Sequence, residues 1–207
     1  MNFRSWRTAW LLLLLAYAGC ASHQVKKVHR TTPFPARVVL LPLSNASNSL
    51  QGPILIRHLL ESRLTGGGYN PLPSPQVDEK LKAIGITDGG QLPSVSATRL
   101  CDTVGADAVL MGDLMNFKYT NIGVYAKRAV QVHLKLVAAG SGEVLWESTR
   151  EDSSTKLGLN GEAIRENLVV GMATKLVETA LKSPLRPESE SVCSALFRDL
   201  NRFRRDW

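Results

Sequence analysis

The chain holds only three cysteines and four histidines in 207 residues, and neither set is arranged for chemistry. His23, His29, His58 and His133 are scattered, and none has a second histidine or a carboxylate at the spacing of a His-Glu-x-x-His site. There is no Gly-x-Ser-x-Gly elbow and no Cys-x-x-Cys pair, so the usual signals of an esterase and of a thiol oxidoreductase are missing. Asp107 and Asp113 flank an apolar run, but two carboxylates in sequence are weak evidence for acid/base work, and Asp107 is placed to shape a strand start. Gly66-Gly67-Gly68 lacks the Gly-Lys-Ser/Thr of a phosphate loop and follows a helical pattern, as a helix stop does. The sequence therefore assigns no catalytic residue, no metal ligand and no cofactor.

Long apolar runs are also lacking. The run from Ala9 to Ala18 is about half the ~20 residues a helix needs to cross a bilayer. It is preceded by Arg4 and Arg7 and followed by Gly19-Cys20, the layout of an export signal over residues 1–19. Ala18-Gly19-Cys20 resembles the lipobox of bacterial lipoproteins, with Tyr17 where that motif usually has Leu. The resemblance implies that Cys20 is acylated, palmitate among its chains, and becomes the first residue of the mature protein. Ala21 follows Cys20 rather than an Asp, which in those lipoproteins points to the outer membrane.

What is present is an ordinary globular composition, 44% hydrophobic and 21% charged, enough for one domain with a sizeable core. The formal charge of +7 invites a nucleic-acid reading. The export signal argues against it. Removing residues 1–19 takes two arginines and no acid, so the mature chain stays basic. Its acidic partners in the envelope would be lipid headgroups, lipopolysaccharide phosphates or acidic protein patches; a merely solvated basic surface is equally open.

Residues 20–36, with Lys26, Lys27, His29, Arg30, Pro33 and Pro35, have no apolar period and read as a tether. An α/β domain is expected over 37–183. Arg37–Leu43 is a β-branched and leucine run ending at Pro42, read as a central strand. Ile54, Leu55, Leu59, Leu60 and Leu64 recur at helical spacing, Tyr69–Pro73 reads as a short extended piece, and Ser74-Pro75 and Ser96 open two further helices. Gly161–Lys182 reads as the longest helix.

Between them, Gly105 to Thr149 spells three strands. Ala108–Met115 is apolar at most positions, as in a strand covered on both faces. From Val124 the even positions Val124, Ala126, Val130, Val132, Leu134 and Leu136 face a core, and Tyr125, Lys127, Gln131, His133 and Lys135 face away, as a candidate surface for an acidic partner or a merely solvated sheet face. Arg128 breaks the even face. Gly140-Ser141-Gly142 turns the chain into Val144–Trp146. The expected fold is α/β in the α+β sense: a mixed sheet with a C-terminal antiparallel meander and helices packed mainly on one face.

Cys101 and Cys193 both lie on apolar helix faces, and a disulfide or two buried thiols fits equally well. Residues 184–207 read as a proline-containing linker and a basic amphipathic helix. Phe197, Phe203 and Trp207 share its apolar stripe, and Arg198, Arg202, Arg204 and Arg205 lie mostly off it. That stripe has three destinations: the protein's own core, a partner groove or an anionic membrane.

The ensemble of Val-Val-Leu-Leu-Pro-Leu at 38–43, Gly-Tyr at 68–69, Gly-Ala-Asp-Ala-Val-Leu at 105–110 and Gly-Glu-Val-Leu-Trp at 142–146 resembles GNA-type bacterial outer-membrane lipoproteins of unknown function. Their fold is similar to the amino-terminal domain of TolB and to the curli secretion lipoprotein CsgG. The resemblance implies a lipid-anchored, periplasm-facing interaction module, not an enzyme, working in envelope transport or assembly. A homo-oligomeric secretion component stands second, and an envelope hydrolase third. The expected partners are the membrane, through the lipid, and envelope proteins, with nucleic acid excluded.

Overall fold

The computed structural model describes residues 33–122, 125–157, 177 and 179–207. The chain divides into two compact units, Met1–Thr31 and Thr32–Trp207, and all described residues belong to the second. The expected export signal, Cys20 and the tether to Thr32 lie outside them. So does most of the helix expected at Gly161–Lys182, of which Val177 and residues 179–181 are helical.

One mixed sheet organises the unit. Strand β1 (Val38–Leu40) runs parallel to β3 (Ala108–Asn121), with Val39 opposite Val109. Pro42 has no N–H to give a ladder, so β1 stops, and the chain returns to β3 as the short β2 (Ser44–Asn45). β4 (Tyr125–Ala138) and β5 (Val144–Leu157) complete an antiparallel meander, giving the order β1-β3-β4-β5. The mixed sheet and its meander are as expected. β3 and β5 extend further than their apolar runs, because backbone pairing with β4 holds polar residues in strand as far as Asn121 and Leu157.

The helices occupy both faces rather than mainly one. Helix α1 (Gly52–Gly66) and helix α4 (Arg186–Asp206) cover the face that carries Val38, Leu40, Leu110, Val130, Val132, Leu134 and Leu136. Helices α2 (Ser74–Ala83) and α3 (Ala97–Val104), with a 3-10 turn at Gly89–Ser94, cover Val39, Leu41, Val109 and Val137 on the other. The reason lies in β1 and the start of β3. Successive residues of a strand point to opposite faces, so a continuous apolar run must be covered twice.

Local chemistry sets the helix ends. Ser96 accepts a hydrogen bond from the Arg99 amide, and Gly105 closes α3 in the left-handed region at φ 71°. The 3-10 turn has a reciprocal cap: Asp88 accepts from Gly90, and the Gln91 side chain accepts from the Asp88 amide. Residues 69–73 are not a strand; Tyr69 is buried and points into the core instead. Asp107 does shape the strand start, accepting the Arg37 amide at 2.8 Å, while the Arg37 guanidinium donates to the Gly105 carbonyl at 2.7 Å.

A bulge at Met115 changes the parity of β3. Before it Leu110 and Leu114 face the α1/α4 core; after it Phe117 and Tyr119 do. The bulge also leaves Met115 47% exposed.

Candidate functional site

On the α2/α3 side, the helices among the described residues cover only one end of the sheet. Beyond Met111 the face carries Asp113, Asn116, Lys118 and Thr120 from β3, then Lys135, His133, Gln131, Lys127 and Tyr125 from β4. Glu147, Thr149, Glu151, Ser153 and Thr155 follow from β5. The period-two pattern of β4 thus put its five candidate residues on the correct, outward face. None of their side chains is fully buried, and Lys127 is exposed.

The register changes the character of this face. Lys135 pairs with Glu147 in β5, and Gln131 pairs with Glu151. His133 stands between two carboxylates, with Nδ1 3.2 Å from Asp113 Oδ2 and Nε2 3.7 Å from Glu147 Oε2. The surface is therefore mixed in sign and not a uniform acceptor for an acidic partner. Its cationic excess is confined to one end, where Lys118 and Lys127 flank neutral Thr120, Ala129 and Thr155. Among the described residues no group of three His, Cys, Asp or Glu side chains is arranged to hold a metal.

Arg128, which interrupts the even face of β4, has its guanidinium 5.5 Å from the ring centroid of its cross-strand neighbour Tyr119. Close by, Ser154 donates to Glu188 at 2.5 Å, and the rest of that buried carboxylate has no hydrogen-bond partner among the described residues. This polar group lies at the start of α4 and ties the helix to β5.

Of the three destinations for the C-terminal stripe, the structure takes the first. Val192, Cys193, Leu196 and Leu200 are buried in the α1/α4 core, and Phe197 and Phe203 pack against it. Burying side chains of this size stabilises by roughly 1.5–3 kcal/mol each. Asp199 accepts from Arg150 Nη2 at 2.6 Å and from Ser148 at 3.0 Å, fixing one flank of α4 to β5. Arg63 donates to Ser194 and to the Glu190 carbonyl, fixing the other flank to α1. Phe197, Phe203 and Trp207 are thus not free for a partner.

At the end of α4 these aromatics form a clasp. Phe34 stands edge-on to Tyr69, Phe203 and Trp207, with ring centroids 5.6–6.3 Å apart. Arg204 lies over Tyr69 at 4.6 Å, and Tyr69 donates its hydroxyl hydrogen to Asn201 at 2.9 Å. Burial pushes the Tyr69 phenol up, while hydrogen bonding and charge from Arg204 oppose the shift. Sequence reading did not find Phe34 or Tyr69; the signal was an aromatic between two prolines at the end of the tether.

Cys101 and Cys193 are free thiols. They do not bridge, because Cys101 belongs to the α2/α3 core and Cys193 to the α1/α4 core, on opposite faces of the sheet. Burial pushes the thiols up to about 11 and about 12 respectively; Asp102 and Asp107 add to the Cys101 shift, and Arg63 opposes that of Cys193.

These features define one mixed α/β sheet flanked by helices on both faces, with a polar expanse of sheet that no other described element covers. Over residues 29–190 the chain matches the GNA1162-like lipoproteins, and it belongs to that family. It is 26% identical over 161 residues to NMB1124/NMB1162 of Neisseria meningitidis serogroup B, covering 74% of this chain and 75% of that one. The fold is shared with the crystal structure of lipoprotein GNA1162 from Neisseria meningitidis, with a TM-score of 0.54 and 23% identity over 62% of this chain and 88% of that one. It is also shared with the hypothetical protein CT253 of Chlamydia trachomatis, with a TM-score of 0.50 and 10% identity over 81% and 96%.

Proposed function

We propose that this protein is an outer-membrane lipoprotein, anchored by acyl chains on Cys20 and facing the periplasm, that serves as a non-catalytic protein-interaction module in envelope transport or assembly. The observation that carries the reading is the open sheet face. It presents hydroxyls, amides and charges of both signs on a rigid three-stranded surface, which suits docking of a polar partner. Membership of a lipoprotein family and the Ala18-Gly19-Cys20 ending support the anchor.

Replacing Cys20 with Ser tests the anchor. Fatty-acid labelling is lost and the protein leaves the membrane fraction; unchanged labelling would sink the assignment. Replacing Thr149, Glu151 and Ser153 with Arg tests the face. Capture of envelope proteins falls at least tenfold while the melting temperature stays within a few degrees, by the usual size of surface effects. Capture that survives the three arginines means that the face is only solvated.

A second reading, a self-associating secretion component, is favoured by the outer edge of β3. Past Leu114 neither β1 nor β2 pairs with it, and the exposed Met115 and Ile122 lie along that length. A proline in place of Lys118 would block strand addition there. If the native chain sediments as an oligomer and the variant as a monomer, this reading replaces the first.

A further inference from the structure

Docking of α4 uses its apolar side and both flanks, and what remains is a charged ridge. At ~100° of rotation per residue, Arg198, Arg202 and Arg205 fall within about 60° of one another, on the side of the helix opposite Val192, Leu196, Leu200 and Phe203. All three are exposed. Among the described residues none of them has a hydrogen-bond, ion-pair or ring partner. Arg204 is different, being committed to the Tyr69 and Phe34 rings and to the Gly67 carbonyl. Towards the start of α4 the same ridge continues as Ser191 and Ala195, so its charge is concentrated in the last turns. Asp206 lies beside it and reduces the positive charge without removing it.

The position of the ridge gives it a direction. Phe34, near the beginning of the folded unit, is held against Phe203 and Trp207, so the chain that precedes it departs from the same end of the molecule. We infer that the Arg198/Arg202/Arg205 ridge rests on an anionic phospholipid surface and sets which side of the domain faces the membrane. The clasp puts the ridge at the end of the folded unit where its first described residues lie. The arginines supply the attraction, and the open sheet face on the other side of the sheet from α4 is left turned toward the periplasm. This orientation rests on the anchored reading; the affinity for lipid does not.

Arginine suits the task because its planar, weakly hydrated guanidinium donates to phosphate oxygens in pairs. A basic residue at an anionic surface contributes roughly fivefold in partitioning, so three should contribute on the order of a hundredfold. The attraction should fall steeply with salt as the Debye length shortens.

The test uses a chain beginning at Thr32, the folded unit without its anchor and tether. It is mixed with vesicles of phosphatidylethanolamine containing about a third phosphatidylglycerol, at a salt concentration low enough to leave screening weak, about 0.05 M. Sedimentation of the vesicles reads the bound fraction. Binding is expected, with loss on raising salt to about 0.5 M and on replacing phosphatidylglycerol with phosphatidylcholine. Arg198→Gln, Arg202→Gln and Arg205→Gln together should weaken it by roughly a hundredfold with an unchanged thermal melt. A control set on the α2 and α3 helices, Lys80→Gln, Lys82→Gln and Arg99→Gln, all exposed, should leave it nearly as it was. Equal loss in both sets, or absence of vesicle binding by the native chain even where it captures acidic proteins, overturns the inference. Loss of lipid labelling at Cys20 would be a separate result, since no step of the vesicle assay depends on it.

Discussion

Phe34 meets Trp207 edge to face, with ring centroids 5.6 Å apart, so the first aromatic of the folded unit touches its last residue. Phe34→Ala removes this contact and those to Tyr69 and Phe203. We expect a loss of about 1–2 kcal/mol, between an aromatic pair energy and the full truncation of a buried ring, because Phe34 is only partly buried. Urea unfolding measures it. Deleting residues 190–207 leaves that face of the sheet to α1 and strips Val192, Cys193, Leu196 and Leu200 from the core, and the cooperative melt should disappear.

Glycine positions separate backbone crowding from open space. A methyl group at Gly89 would lie 2.2 Å from the Leu43 carbonyl oxygen and 2.6 Å from the Ser44 nitrogen, and these backbone atoms have little room to yield. Gly89→Ala should cost about 2–3 kcal/mol. At Gly140 nothing lies within 4 Å of such a methyl. Gly140→Ala should shift the urea midpoint little, and equal effects at the two sites would contradict the close approach of the 3-10 turn to β2.

The two thiols offer a pH test. Their folded values of about 11 and about 12 lie above the ordinary 9.0, so the folded state holds these protons more tightly than the unfolded chain. The stability they contribute is full below about pH 9 and is lost as pH rises through the folded values; Tyr69, also pushed up, acts in the same direction from about pH 10. The urea midpoint should fall from about pH 9 upward, and less steeply in Cys101→Ala/Cys193→Ala. At neutral pH, iodoacetamide should modify neither thiol of the native Thr32–Trp207 chain and both in urea.

A fourth test concerns the flank of α4. Asp199 and Arg150 form a short ion pair, but Arg150 is 48% exposed, so solvent weakens the interaction. A double-mutant cycle with Asp199→Ala and Arg150→Ala should give a coupling of about 1 kcal/mol. No coupling would mean that apolar burial alone seats the helix.

Short-range signals were legible in the chain. Ser96 and Gly105 bound a helix because a hydroxyl can cap free amides and a glycine can enter the left-handed region. Val130, Val132, Leu134 and Leu136 of β4 are buried as their alternation requires, while Ala126 towards the strand start is only partly so. Long-range facts were not legible. The bulge at Met115 reverses the parity of β3, so counting forward from Leu110 gives the wrong face for Phe117. That His133 stands between Asp113 and Glu147 depends on pairing 20 and 14 positions away in sequence, which only the sheet register decides. Helices on both faces were implied by the doubly apolar start of β3, yet which helices went where depended on crossover connections. Ser148–Thr155 lacks an apolar face of its own and becomes a strand through its pairing with β4.

The clasp around Phe34 also governs how the unit would carry mechanical load. A pull arriving along the preceding chain meets the ring contacts with Tyr69, Phe203 and Trp207 before it reaches β1. β1 is short and lies at the sheet margin, paired among the described residues only with β3, so it would peel readily if force reached it first. Seating Phe34 on α4 instead sends the force into a helix of 21 residues fixed to both α1 and β5. The clasp therefore acts as a strain relief, sparing this short edge strand from the motions of whatever holds the chain upstream.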